Sequence, residues 1–142
     1  MGESTDTDTL IRSLRKALPM LARDATAAAV AAGTLPGPEG IALAQRLREI
    51  AASELEDVER LAARIASLGG TPSVTMGKLE PPEKAAGMLE WLATMQREAN
   101  DAVVGAIPAD ADDAEGEASE HLLEHIVARK RDVIELLDRA TR

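Results

Sequence analysis

The sequence predicts an all-α protein, a four-helix bundle, and three observations carry this prediction. Four long segments repeat apolar residues every three or four positions, the spacing of one face of an α-helix. Runs that contain Gly and Pro separate these segments. One Trp and no Phe or Tyr leave a core of Ala, Leu, Val, Ile and Met, which favours close packing of helices. The 142 residues suit a single domain, 1–142, and we expect residues 1–7 to form a flexible N-terminal tail.

The first two helices are predicted from their apolar stripes and their breaks. The first runs from about Asp8 to Ala32, and Pro19 within it should cause a kink because proline removes one hydrogen bond of the helix. The second begins near Pro38, since proline is well suited to a first helical turn, and continues until a Gly-Gly pair stops it at Gly69. Its stripe is the most regular in the chain.

The last two helices and the segment before them determine the topology. The third helix opens at Pro81 and ends before Pro108, and the fourth starts in the acidic stretch Asp110–Glu117. The break at 69–80 is long, and at full extension it reaches about 40 Å, nearly the length of a 30-residue helix. It therefore predicts a crossover along the bundle that makes the second and third helices parallel. A loose hairpin loop is the alternative.

Composition limits the classes of partner. The formal net charge of −9 disfavours nucleic acid and anionic membranes, because binding either would bring like charges together. The absence of cysteine excludes disulfides and thiolate metal sites. The N-terminus lacks the pattern of a signal peptide, and no apolar run reaches about 18 residues, the length of a membrane span. We expect a soluble, cytoplasmic protein that binds neither nucleic acid nor membranes.

Two charged residues interrupt the apolar stripes. Glu54 lies in the stripe of the second helix and Arg129 in that of the fourth, so both should point inward. Asp57 and Asp132 follow one turn later on nearly the same faces. Because an isolated buried charge is costly, we expect these four side chains to pair in a buried charge cluster. The alternative is a small rotation of the helices that brings the charges to solvent.

The segment after the second stripe resembles the bacterioferritin branch of the ferritin-like superfamily. Residues 64–72 read Arg-Ile-Ala-Ser-Leu-Gly-Gly-Thr-Pro, and residues 77–79 read Gly-Lys-Leu. The pair Glu54-x-x-Asp57 precedes this string and Met88-Leu89 follows it, in the order and spacing of that family. The resemblance implies a ferritin-like four-helix bundle with a long crossover between helices 2 and 3. It also raises the expectation of a homo-oligomer.

The resemblance implies a site for two metal ions, to which two helices give one Glu each and two give Glu-x-x-His. By register, Glu54-x-x-Asp57 keeps the Glu and replaces the His, and Arg129-x-x-Asp132 replaces both residues. A permanent guanidinium in that place makes metal binding unfavourable. We therefore expect Arg129 to substitute for the charge of the metal.

The remaining positions of the implied site also lack the metal ligands of the family. The single Glu of the third helix falls on or near Gln96, and that of the first helix falls near Leu21. The Met that binds heme in bacterioferritins falls on Leu55, which cannot ligate iron. The resemblance thus implies a remnant di-iron site with no catalytic residue, no metal, no heme and no ferroxidase activity. Whether the chain has another enzymatic activity stays open.

His121 and His125 are spaced to face one side of the fourth helix and could bind one metal ion together. A polar helix face is the commoner explanation for such a pair. A relocated site that uses His125 with Glu54, Asp57 and Asp132 is the specific alternative.

The sequence favours a non-catalytic scaffold or interaction protein that self-associates. The stretch Val74–Met76 and Leu79 places apolar residues outside the helices, where they could form contacts between copies. One alternative is a protein that binds or stores iron or another divalent metal with rearranged ligands. Another is a bundle that binds a small molecule in an apolar pocket opposite the Ala-rich half of the first helix.

Overall fold

The computed structural model describes residues 2–109 and 113–141, which form a bundle of four helices. Their bounds are α1 Gly2–Thr34, α2 Gly37–Ser67, α3 Ala85–Ala106 and α4 Ala114–Ala140. Helix α1 packs on α2 and on α3, and α4 packs mainly on α3. The all-α prediction is confirmed, with one helix at each of the four predicted segments. None of the helices in the described ranges is long and apolar enough to cross a membrane.

The directions of the helices follow from contacts at their ends. Thr34 at the end of α1 donates a hydrogen bond to the sulfur of Met88 at the start of α3. Gly70, just after α2, lies against Ile11 near the start of α1. Both α2 and α3 are therefore antiparallel to α1 and parallel to each other. The predicted crossover between helices 2 and 3 is confirmed, and the hairpin alternative is wrong.

The crossover, residues 68–84, runs along the outside of α1. It leaves α2 beside Ile11, and in its middle Thr26 Oγ1 donates a hydrogen bond of 3.8 Å to Met76 Sδ. The crossover reaches the opposite end of the bundle, where Leu79 packs against the apolar core. The segment thus covers one side of the bundle instead of forming a compact turn.

Two helix starts differ from the prediction. Helix α1 begins at Gly2 and not near Asp8, so residues 2–7, which the sequence predicts as a tail, belong to the helix. Helix α3 begins at Ala85, after the predicted start at Pro81. Helix α4 begins after Asp113, whose side chain accepts a 2.6 Å hydrogen bond from the Gly116 N–H. The earlier part of its predicted start, residues 110–112, lies outside the described residues.

The core consists of two apolar clusters with polar residues between them. One cluster lies towards the end of α1, where Leu35, Leu47 and Leu92 are buried. The other lies towards the start of α1, around Leu14 and Leu61. Every helix has a buried polar side chain in the sequence gap between the two clusters, whereas Ser119 of α4 is buried outside that gap. The bundle therefore contains a polar layer across its middle.

Candidate functional site

One polar side chain from each helix meets in the polar layer. These four residues, which we call the inner cluster, are Asp24 of α1, Glu54 of α2, Gln96 of α3 and Lys130 of α4. Their exposed fractions are 1%, 4%, 2% and 2%. An unpaired charge at such depth costs several kcal/mol, on the order of a third or more of a typical domain's stability. The stability of the fold therefore depends on the contacts that these four side chains make with one another.

Lys130 is the centre of the inner cluster. Its Nζ donates a 2.8 Å hydrogen bond to Asp24 Oδ2 and a 2.9 Å bond to Gln96 Oε1. A longer contact of 3.4 Å reaches Glu54 Oε1. The three donors of one ammonium group thus connect α4 to the other three helices.

Glu54 is the less compensated of the two carboxylates. Its Oε1 accepts a 2.6 Å hydrogen bond from Gln96 Nε2 in addition to the long contact with Lys130. Its Oε2 is buried and has no hydrogen-bond partner. Burial raises the pKa of Glu54 above its ordinary value, and the charge of Lys130 and the bond from Gln96 oppose this only in part.

Asp24 has a cation at each oxygen. Arg23 Nε lies 3.2 Å from Oδ1, and Lys130 Nζ binds Oδ2. Burial nevertheless raises the pKa of Asp24, because the desolvation of its carboxylate outweighs the attraction of the two cations. Arg23 is itself held in place by a 2.9 Å hydrogen bond to the carbonyl oxygen of Met95.

Asp57 and Arg129 form a second ion pair at the edge of the polar layer, which we call the outer pair. Arg129 Nε donates a 3.1 Å hydrogen bond to Asp57 Oδ2, and its NH2 donates to Oδ1, a two-point contact. Arg60 also donates to Asp57 Oδ1, at 3.2 Å. The Asp57 side chain is 3% exposed, whereas that of Arg129 is 36% exposed.

The structure brings together only part of the predicted charge cluster. Glu54, Asp57 and Gln96 are buried as expected. Arg129 lies at the edge, and Asp132 is exposed, so the expectation that Asp132 points inward is wrong. The buried cation of α4 is Lys130, one residue further along the chain. Successive side chains of an α-helix differ in direction by about 100° around its axis. Arg129 can therefore lie at the edge of the bundle while Lys130 points into the interior.

Sequence reasoning missed Asp24 and Lys130. By register, the position of the family's single Glu on the first helix falls near Leu21, and the structure shows a buried carboxylate three residues later, at Asp24. A signal for Lys130 is present, because it continues the buried row Leu123, Ile126 and Val127 at helical spacing. Choosing that row over the neighbouring one requires knowledge of which face of α4 meets the other three helices.

The histidines do not take part in the site. His121 and His125 are both exposed. The alternative ligand set, His125 with Glu54, Asp57 and Asp132, is not brought together, because two of its members are buried and two face solvent. Across residues 2–109 and 113–141, no group of three or more His, Cys, Asp or Glu side chains is arranged to hold a metal ion.

Comparison with known protein families shows which family this chain belongs to. The pattern of the ferritin-like domain matches residues 26–140. The chain belongs to the ferritin-like family. Comparison of the sequence with curated proteins finds no match.

Solved structures of the ferritin-like superfamily have the same fold. A ferritin-like, diiron-carboxylate protein from Bacillus anthracis str. Ames has a TM-score of 0.88 and 23% identity, covering 96% of this chain and 98% of its own. A mutant of Dps1 from Mycobacterium smegmatis has a TM-score of 0.83 and 15% identity, with coverages of 97% and 98%. The bacterioferritin-related protein from Bacteroides fragilis, a dodecameric thioferritin, has values of 0.82 and 17%, with 94% and 84% covered.

The residues of the inner cluster do not fit the di-iron centre that the ferritin-like fold implies. Two carboxylates and one amide oxygen are present, but Lys130 Nζ lies among them. A protonated lysine has no lone pair to offer a metal, and its charge repels a second cation. Asp57 is already engaged by Arg129 and Arg60. The arrangement can hold an internal ion-pair network, and no step of metal chemistry follows from it.

Proposed function

We propose that this ferritin-like protein has no functional di-iron centre and acts as a non-catalytic scaffold or interaction protein that self-associates. The observation that supports this most is the position of Lys130, whose ammonium is bonded to Asp24 and Gln96 in the middle of the bundle. In this proposal the inner cluster and the outer pair are the remnant of a metal site. Glu54 is retained, and the cation of α4 supplies the positive charge that a metal would otherwise bring.

The proposal has a physical basis in charge and desolvation. A divalent ion entering the inner cluster would meet the Lys130 ammonium only a few ångströms away, in a region of low dielectric where like charges repel strongly. Moving that ammonium aside would break its bonds to Asp24 and Gln96. Leaving a buried carboxylate without its cation is costly. Metal entry would thus carry two penalties.

Self-association is supported by the surface of α2 and by the relatives. Ile41 and Leu55 are 72% and 57% exposed, and both lie on α2. They are 14 residues apart, close to a whole number of helical turns, so they share one face. The similar protein from Bacteroides fragilis is a dodecamer. We propose that this face of α2 contacts a second copy, and that the assembly is cytoplasmic.

Neither alternative function is favoured by the site. For iron storage with rearranged ligands, the donors would have to come from residues that the fold keeps apart, as with His125 and Glu54. For a small-molecule binder, an apolar groove of about 460 Å³ does exist, lined among others by Leu35, Leu43 and Leu89. It is lined by residues that follow α1, and none of its described lining residues belongs to the Ala-rich half, residues 25–32, opposite which the sequence predicts a pocket.

Anaerobic titration with Fe(II), followed by elemental analysis after desalting, tests the absence of a di-iron centre. The proposal predicts that the folded protein keeps far less than one iron per chain. Stoichiometric iron or manganese would reject it. Light scattering on the same sample tests self-association, and a monomer at about 100 μM would reject that part separately.

A further inference from the structure

A cavity of about 420 Å³ lies between the first half of α1 and the crossover, away from the polar layer. One wall is the face of α1 that carries Arg12, Arg15 and Lys16. The other wall is the crossover, which contributes Ser73 and Thr75. The crossover lies beside α1 on both sides of these residues, at Gly70, which lies against Ile11, and at Met76, which accepts a hydrogen bond from Thr26.

The α1 wall concentrates positive charge. Arg15 and Lys16 follow Arg12 by three and four residues, so all three lie on one side of the helix, where like charges repel. Within the described part of the chain, none of the three forms an ion pair with a carboxylate. Among the described residues that line the cavity, Asp8 is the only acidic one, so these side chains together carry a net charge of about +2. This occurs in a chain whose net charge is −9.

We propose that this cavity binds a small phosphate-bearing anion. Two guanidinium groups can each give paired hydrogen bonds to phosphate oxygens, and Lys16 adds a compact charge. The hydroxyls of Ser73 and Thr75 provide further donors on the opposite wall. The volume is within the range of small-molecule sites. A nucleic acid is disfavoured, because it would extend beyond the cavity over a surface of like charge.

Isothermal titration calorimetry with inorganic pyrophosphate, and with inorganic phosphate for comparison, tests the proposal on the full chain. Saturable binding is expected, tighter for pyrophosphate. Arg15→Gln and Lys16→Gln should each weaken it by about fivefold or more, the loss of one charged contact. Asp8→Asn should tighten it by removing the opposing charge. A loss of affinity in the other two variants could come from misfolding, whereas a gain of affinity in Asp8→Asn could not.

Arg48→Gln is the matched control, because Arg48 is an exposed arginine on α2 that does not line the cavity. Its affinity for pyrophosphate should equal that of the wild type. Equal losses in Arg48→Gln and Arg15→Gln would mean diffuse attraction by surface charge and would overturn the proposal. Absence of saturation up to about 10 mM pyrophosphate would overturn it as well.

Discussion

At the scale of single residues, the polar layer is stable only if each buried charge meets its partner. Asp24 has a cation at both oxygens, whereas Glu54 has an amide, a long contact to Lys130 and one oxygen with no partner. Lys130 serves both carboxylates at once. The removal of Lys130 and the removal of Arg129 should therefore have unequal effects, although both are cations of α4.

Lys130→Met should lower the free energy of unfolding by about 3 to 5 kcal/mol, because it leaves Asp24 and Glu54 without their shared cation. Arg129→Met is the matched control and should cost about 1 kcal/mol or less, since Arg129 is partly exposed. Asp57 also keeps Arg60. Urea denaturation monitored by circular dichroism measures both. A larger loss for Arg129→Met would contradict the assignment of Lys130 as the central cation.

Glu54 should make stability depend on pH in a particular direction. Its pKa is raised in the folded state, so the folded protein binds that proton more tightly than the unfolded chain does. The contribution of Glu54 to the free energy of unfolding is then fully present at low pH, and it is lost as the pH rises from the ordinary pKa to the raised one. Asp24 contributes in the same direction. Glu54→Gln removes one of the two contributions.

Urea denaturation of the wild type and Glu54→Gln at closely spaced pH values, from about pH 4 to pH 8, measures this effect. The stability of Glu54→Gln relative to the wild type should increase with pH above the ordinary pKa of a glutamate and level off above the raised pKa of Glu54. Glu59→Gln, a change at an exposed glutamate of the same helix, should show no such trend. Parallel profiles for the two variants would contradict the raised pKa of Glu54.

At the scale of elements, the four helices were predictable because each buries a periodic apolar stripe. The early start of α1 was not, because residues 2–7 are polar and carry no such stripe. The crossover could be predicted from its length and from the resemblance at 64–79. Its path along α1, and thus the cavity beside Arg12, could not, because the sequence does not show which side of the bundle a long segment follows.

The candidate site was predictable to within one residue on α4. Leu122, Ile126, Val133 and Leu136 form a stripe that places Arg129 inward. The stripe that is buried most deeply is instead Leu123, Ile126, Val127, Val133 and Leu137, which places Lys130 inward. Both stripes have helical spacing, and they differ by a small rotation of α4. Packing against the other three helices selects between them, and periodicity alone does not contain that information.

The turn between α1 and α2 gives a test of packing between elements. A Cβ atom on Gly40 would lie 2.7 Å from the carbonyl carbon and oxygen of Leu35. Gly40→Ala should therefore destabilise the protein by about 1 to 3 kcal/mol, the cost of forcing backbone apart in a packed core. Gly33→Ala is the control, because nothing lies within 4 Å of its Cβ position. That variant should be neutral or up to about 1 kcal/mol more stable, as alanine favours helix. Thermal unfolding compares the two, and equal losses would contradict the close approach.

At the scale of the whole molecule, the Lys130 ammonium connects the four helices through an internal charge network, and we propose that this network takes the place of a bound metal. In this proposal the core is complete without a metal, and self-association depends on the surface of the bundle. The exposed apolar side chains on α2, Ile41 and Leu55, are then the natural place for a contact between copies.

Leu55→Arg should reduce the molar mass measured by light scattering, because it places a charge in the proposed contact between copies. Val74→Arg is the matched control, since Val74 is also a partly exposed apolar residue but lies on the crossover. It should leave the mass unchanged. If Val74→Arg dissociates the assembly and Leu55→Arg does not, the contact lies on the crossover and not on α2.

The most direct test of the central claim is thermal unfolding with and without Mn(II) for the wild type and for Lys130→Glu. The variant replaces the cation by a carboxylate beside Asp24 and Glu54, so Mn(II) should bind its folded state and raise its unfolding temperature by several degrees. The wild type should show no shift at the same concentration of Mn(II). A wild type that is stabilised by Mn(II) as much as Lys130→Glu, or a folded variant that gains no stability from it, would contradict the claim that Lys130 stands in place of the metal.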